Sequence, residues 1–91
     1  MRNSVMLIGK VTNLAETNTF NLLVTETVKE HGKYQTIKSE FICLANDENS
    51  LLMDRIGKLK EGDEIAIDGR IIMFDDDRCC IKVYDLFIIN H

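Results

Sequence analysis

Only one window of this chain places its apolar residues at helical spacing. Across residues 46–60 (NDENSLLMDRIGKLK), Leu52, Ile56 and Leu59 fall on a single helix face. Asn49 or Ser50 can cap the start, Asp47 and Glu48 suit the positive end of the dipole, and Lys58 and Lys60 suit the other end. Gly62 is the expected stop. The remaining apolar runs are extended in character. They are Ser4–Thr12, Thr19–Val28, Tyr34–Ala45, Glu64–Phe74 and Arg78–Asn90, rich in β-branched and aromatic residues. Polar stretches at Asn13–Asn18, Glu30–Lys33 and Asp75–Asp77 separate them as loops or turns. The order is β-β-β-α-β-β. Five strands with one helix between the third and fourth is the order of an OB-fold, an all-β five-stranded barrel of Greek-key type. Gly9 and Gly69, inside the first and fourth strands, fit positions where strongly coiled strands bend to close a small barrel. A plain antiparallel α+β sandwich is the alternative.

With 91 residues the chain reads as a single domain, residues 1–91. Apolar residues at 45% and charged residues at 29% place it among ordinary globular chains. No apolar run approaches the ~18 residues of a membrane-spanning helix, and the start offers no signal-peptide pattern, so a cytoplasmic protein with no membrane partner is expected. Cys43, Cys79 and Cys80 are an odd count without paired spacing, which fits reduced thiols. No phosphate loop, nucleophile elbow or zinc-protease motif is present. His31 and His91 lack partners at metal-ligand spacing, and the three aspartates at 75–77 lack the spacing of a calcium loop. The expectation is a non-enzyme with no metal and no cofactor. The net charge is −4, but the acid is concentrated in the second half. Residues 1–45 carry five Lys or Arg against four Glu, so a local basic face remains open there.

Several motifs resemble the bacterial single-stranded DNA-binding (SSB) family. Asn3-Ser4-Val5-Met6-Leu7-Ile8-Gly9-Lys10-Val11 is similar to the family's first strand. Phe20-Asn21-Leu22-Leu23-Val24 is similar to its second strand and Ser39-Glu40-Phe41-Ile42-Cys43-Leu44 to its third. The strongest match is Leu59-Lys60-Glu61-Gly62-Asp63-Glu64-Ile65-Ala66-Ile67-Asp68-Gly69, across the helix exit and fourth strand. The resemblance spans nearly the whole chain. The family commonly stacks bases on tryptophan; this chain has none, and Phe41 stands where a third-strand Trp is common. The family's acidic C-terminal tail has no counterpart, so the tailless PriB-type primosomal replication proteins fit the length equally well. The resemblance implies single-stranded DNA as ligand, a role in replication, recombination or repair beside the nucleoid, replication proteins as further partners, and a homodimer or homotetramer.

Single-strand binding needs planar groups for base stacking and cations along the phosphates. The stacking candidates are Tyr34, Phe41 and Phe74. Tyr34 and Phe41 lie on opposite faces of the third strand by parity. Phe41 has two readings, a stacking platform or a core residue, and Ile42 and Leu44 are expected to supply the buried face. The cation candidates are Lys29, Lys33 and Lys38 around the first hairpin, with Lys10 and Arg70 on other strands. The competing reading of the lysines is a solvated hairpin guarded against edge pairing. Arg70 alternates with Ile72 and Phe74, an apolar face that fits a ligand or a subunit contact. Strands one, four and five together carry more apolar surface than one small core can bury, which also favours self-association. A second function stays open: a protein-interaction or assembly module on the same fold with weak DNA binding, motivated by the missing tryptophans and the acidic balance.

Overall fold

The structure is a computed structural model that describes residues 4–16, 18–46, 48–73 and 78–90. The strands are β1 (Val5–Glu16), β2 (Thr19–Glu30), β3 (Lys33–Ala45), β4 (Glu64–Met73) and β5 (Cys79–Asn90), and the helix α1 (Ser50–Gly57) lies between β3 and β4. The strands close into a barrel in the order β1-β2-β3-β5-β4, with β4 pairing back onto β1. All neighbours are antiparallel except β3 and β5, which run parallel. Closure removes the sheet edges and settles the architecture in favour of the OB-fold over the α+β sandwich.

The core follows from strand parity. Val11 on β1, Phe20, Leu22 and Val24 on β2, Ile65 and Ile67 on β4, and Ile81, Val83 and Leu86 on β5 point inward and are buried. Leu52 and Ile56 of α1, with Leu59 just beyond it, join the same cluster. Each such side chain contributes roughly 1.5–3 kcal/mol by leaving water. Gly9 and Gly69 are required by close approach of neighbouring strands. A Cβ at Gly9 would collide with the Leu23 carbonyl oxygen, and one at Gly69 with the Lys82 carbonyl oxygen. Beside Gly69 the β4–β5 register shifts, so the bend coincides with a bulge.

Two boundaries differ most from the sequence reading. β1 runs on through part of the expected 13–18 loop, by way of two register shifts that let it follow β2. Asn49 caps α1 by accepting from the Leu52 backbone N–H at 3.1 Å, as foreseen, but the helix ends at Gly57 with Lys58 as its cap. Gly62 does not stop it. It takes a φ of +93° in the turn into β4, and its N–H donates to the Val11 carbonyl at 2.7 Å. The 75–77 turn lies outside the described residues.

Candidate nucleic-acid interface

β2 and β3 pair continuously from Thr19↔Leu44 to Glu30↔Lys33, well past the point where the barrel core ends. From Thr25 to Lys38 almost every residue is exposed, on both faces of the ribbon. These two strands therefore project as an arm, turning at His31 (φ 53°) and Gly32 (φ 77°), where left-handed backbone makes the tight reversal.

On one face of the arm, continuous with the outer surface of the barrel, the cross-strand pairs are Thr25↔Lys38, Thr27↔Thr36 and Lys29↔Tyr34. The Lys29 ammonium sits 5.6 Å from the centre of the Tyr34 ring. Tyr34 is 74% exposed, so the ring face away from Lys29 is open to a ligand. At the base of the arm the same face opens into a groove of about 370 Å³ lined by Ile8, Gly9, Lys10, Leu23, Thr25, Lys38 and Glu64. The structure thus joins Lys10, Lys38, Lys29 and Tyr34 on one surface. Two acids border it. Glu64 lines the groove, and Glu40 is engaged by the Thr12 hydroxyl, which donates to it at 2.6 Å. Elsewhere on the surface, Arg55 pairs with Asp85 and Lys58 with Asp54.

The other predicted residues go to different places. Phe41 pairs with Leu22, and Cys43 with Phe20. Both partners are fully buried, so Phe41 faces inward and packs against the core. This corrects the assignment of the buried face of β3. Phe41, Cys43 and Ala45 form it, while Ile42 is 44% exposed on the outside. Phe41 is half-buried and packs against the edge of the core. Lys33, opposite Glu30, has the parity of the arm's other face. Arg70 pairs with Lys82, which in turn registers with Leu44. That row crosses β3 six residues from Lys38, about 20 Å along the strand. Phe74 lies outside the described residues.

Sequence reasoning missed Lys82 and the threonines Thr25, Thr27 and Thr36. Lys82 lines a second groove of about 330 Å³ with Leu44, Ala45, Asn46, Glu48 and Ile72. The threonines carried a signal, since they alternate with the lysines on the same parity. Cys43 is buried and its thiol is pushed up to about 12, first by burial and then by neighbouring Cys80. Cys80 is raised too, by burial and by Cys79, and only Cys79 is exposed.

No family model matches the chain, and no curated protein matches its sequence. Solved structures do match. The small single-stranded DNA-binding protein from Streptomyces coelicolor is 18% identical with a TM-score of 0.72, covering 97% of this chain and 95% of that one. SSB from Plasmodium falciparum, solved in complex with ssDNA, is 20% identical with a TM-score of 0.76, covering 99% and 96%. This chain has the SSB-type OB fold. PriB from Ralstonia solanacearum shares that fold at 8% identity, with a TM-score of 0.73 and coverage of 99% and 100%. The SSB-type fold therefore extends over essentially the whole chain, arm included. No helix among the described residues is long and apolar enough to cross a membrane.

Proposed function

We propose that this protein binds single-stranded DNA with little base specificity and serves DNA replication, recombination or repair without itself being an enzyme. The observation that carries this reading is the continuous outer surface from the Lys10–Lys38 groove to the Lys29–Tyr34 pair. It supplies phosphate-tracking cations and an exposed ring, the two elements that sequence-tolerant single-strand binding requires. The surface stands on a barrel shared with proteins named for binding single-stranded DNA, one of them solved with that ligand. Arg70 and Lys33, cation candidates of the sequence, lie off that surface. Work on DNA would place the protein in the cytoplasm beside the nucleoid. Fluorescence anisotropy with labelled oligothymidylate tests the reading. Saturable binding that a duplex of equal length fails to displace is expected, and no binding at low salt would refute it.

A second copy of the chain is the expected partner. Along the outside of β1, β4 and β5, Ile8 registers with Ala66 and Ala66 with Phe87. Phe87 at 54% exposure and Ile89 continue this apolar face, and Met6, 75% exposed, lies at its border opposite Asp68. Pairing two copies over it would remove apolar surface from water and present two binding surfaces to one strand, raising avidity without new contacts. Replication proteins are further candidate partners.

The competing reading, an assembly module with weak DNA binding, draws on the inward position of Phe41 and the acidic net charge of −4. One accessible ring on the described part of the arm is a sparse platform. The anisotropy titration separates the two readings.

A further inference from the structure

Two rows of side chains cross the outside of β3, β5 and β4. Ile81 and Val83 of β5 are buried in the core, so Cys80 and Lys82 take the outward parity. Lys82 registers with Leu44 on β3 and with Arg70 on β4. Two residues away on β5, Cys80 registers with Ile72 on β4. The parallel pairing of Cys43 with Ile81 sets Ile42 on its other side. One row is therefore Leu44–Lys82–Arg70 and the other Ile42–Cys80–Ile72. Arg70 and Ile42 are exposed, and Leu44, Lys82 and Ile72 are half-buried. Cys80 is only 1% exposed despite its outward parity, so it is sunk between the two larger isoleucines. Leu44, Lys82 and Ile72 also line the groove of about 330 Å³, with Asn46 and Glu48 at its rim.

The cations of this surface are unrelieved. Arg70 and Lys82 stand directly opposite each other, a repulsive arrangement in a sheet. Neither forms an ion pair among the described residues, where Arg55 takes Asp85 and Lys58 takes Asp54. A chain of net charge −4 places no carboxylate on the pair, and an anionic partner would relieve it. The apolar row decides which anion. Aliphatic side chains offer no ring for a base, and Glu48 on the rim repels a phosphate chain. An extended peptide suits both rows. Its successive side chains point to opposite sides, and same-face residues within each strand set the rows ~6.8 Å apart. We propose that this surface docks an extended segment of a partner protein in which acidic and aliphatic residues alternate. Its carboxylates meet Arg70 and Lys82, and its aliphatic side chains cover Ile42 and Ile72. The site lies about 20 Å along β3 from Lys38 and does not rest on the DNA-binding reading.

The test titrates the full chain with labelled octapeptides, read by fluorescence anisotropy. A peptide alternating Asp and Leu should bind saturably at low salt. Peptides alternating Asp with Ser, or Lys with Leu, should bind about tenfold or more weakly. Arg70→Gln and Lys82→Gln should each weaken the Asp–Leu peptide about two- to fivefold, the range of an exposed ion pair, while Lys38→Gln leaves it unchanged. Thermal melting checks that each variant is folded, and the three peptides on the unaltered chain decide the matter if one is not. No saturable binding of the Asp–Leu peptide, or equal binding of the Lys–Leu peptide, would overturn the proposal. Equal binding of the Asp–Ser peptide would overturn the part of the aliphatic row. Oligothymidylate tests the other ligand. The double variant R70Q/K82Q should keep its affinity and salt slope; a slope flattened by about 1.4 with peptide binding intact would give the pair to nucleic acid and overturn peptide docking. Failure of the unaltered chain to bind oligothymidylate removes the DNA-binding reading alone, and peptide binding in that chain still supports the docking site.

Discussion

Replacing Phe41 and Tyr34 separately by alanine distinguishes core from contact surface on a single strand. Phe41 is partly buried and touches the core cluster. Full burial of a phenylalanine makes truncation cost roughly 3–5 kcal/mol, so a half-buried ring should cost about 2 kcal/mol. In a domain of this size each kcal/mol moves Tm by roughly 4–8 °C, so Phe41→Ala should melt about 8–16 °C early. The folded variant should still bind single-stranded DNA normally. Tyr34 is 74% exposed and its ring pairs with Lys29, a surface contact worth about 0.5–1 kcal/mol. Tyr34→Ala should therefore barely move Tm. Its binding should fall by the stacking energy of one base, about 1–3 kcal/mol, while Tyr34→Phe keeps nearly all of it. Calorimetry and anisotropy on the same samples give both numbers. A Phe41→Ala variant with unchanged Tm and weakened binding would refute the inward placement, and a Tyr34→Ala variant with full affinity would refute the stacking surface.

Gly9→Ala should lose several kcal/mol of stability, because its Cβ has no room beside the Leu23 carbonyl and the β1–β2 pairing must shift; denaturant titration measures it, and a change below ~1 kcal/mol would contradict the close approach. Native protein should lose one thiol, Cys79, to an alkylating reagent near neutral pH, with Cys43 and Cys80 reacting only after unfolding; mass spectrometry counts the adducts, and fast labelling of Cys43 would contradict its burial. Cys43 has its folded pKa raised from 9.0 to about 12, so the unfolded state sheds the proton first and stability should fall between pH 9 and pH 12, by up to ~4 kcal/mol; a Cys43→Ala variant whose alkaline stability falls just as steeply would contradict that assignment. Light scattering should give a multiple of 10.4 kDa for the unaltered chain and a smaller mass for Met6→Lys; a 10.4 kDa particle before any substitution would remove the paired assembly.

The order of elements was legible because only residues around Leu52 and Ile56 break the two-residue period, and because Gly9 and Gly69 interrupt strands at points that prove to be inter-strand contacts. The face of Phe41 was not. Both parities of β3 are apolar near its end, Phe41 and Cys43 on one and Ile42 and Leu44 on the other. Only pairing with Leu22 and Phe20 decides which side is the core. The same limit hid Lys82, whose position beside Arg70 depends on the register shift between β4 and β5. Lys33 looked equivalent to Lys29 and Lys38 because it was read as part of the turn, whereas β3 begins at Lys33 and so fixes its parity opposite to that of Lys38. The helix end was misplaced by reading Gly62 as a stop when it is needed for the left-handed turn into β4.

The central claim is that the arm and groove bind single-stranded DNA chiefly through its phosphates, with stacking on Tyr34 as the apolar contribution. Titration of labelled poly-dT at two salt concentrations tests it most directly. The account predicts saturable binding at low salt that weakens as salt rises, with a log–log slope of about −2, set by the contacts of Lys10, Lys29 and Lys38 at ~0.7 each. Binding that does not depend on salt, or no saturable binding at the lower concentration, would contradict it.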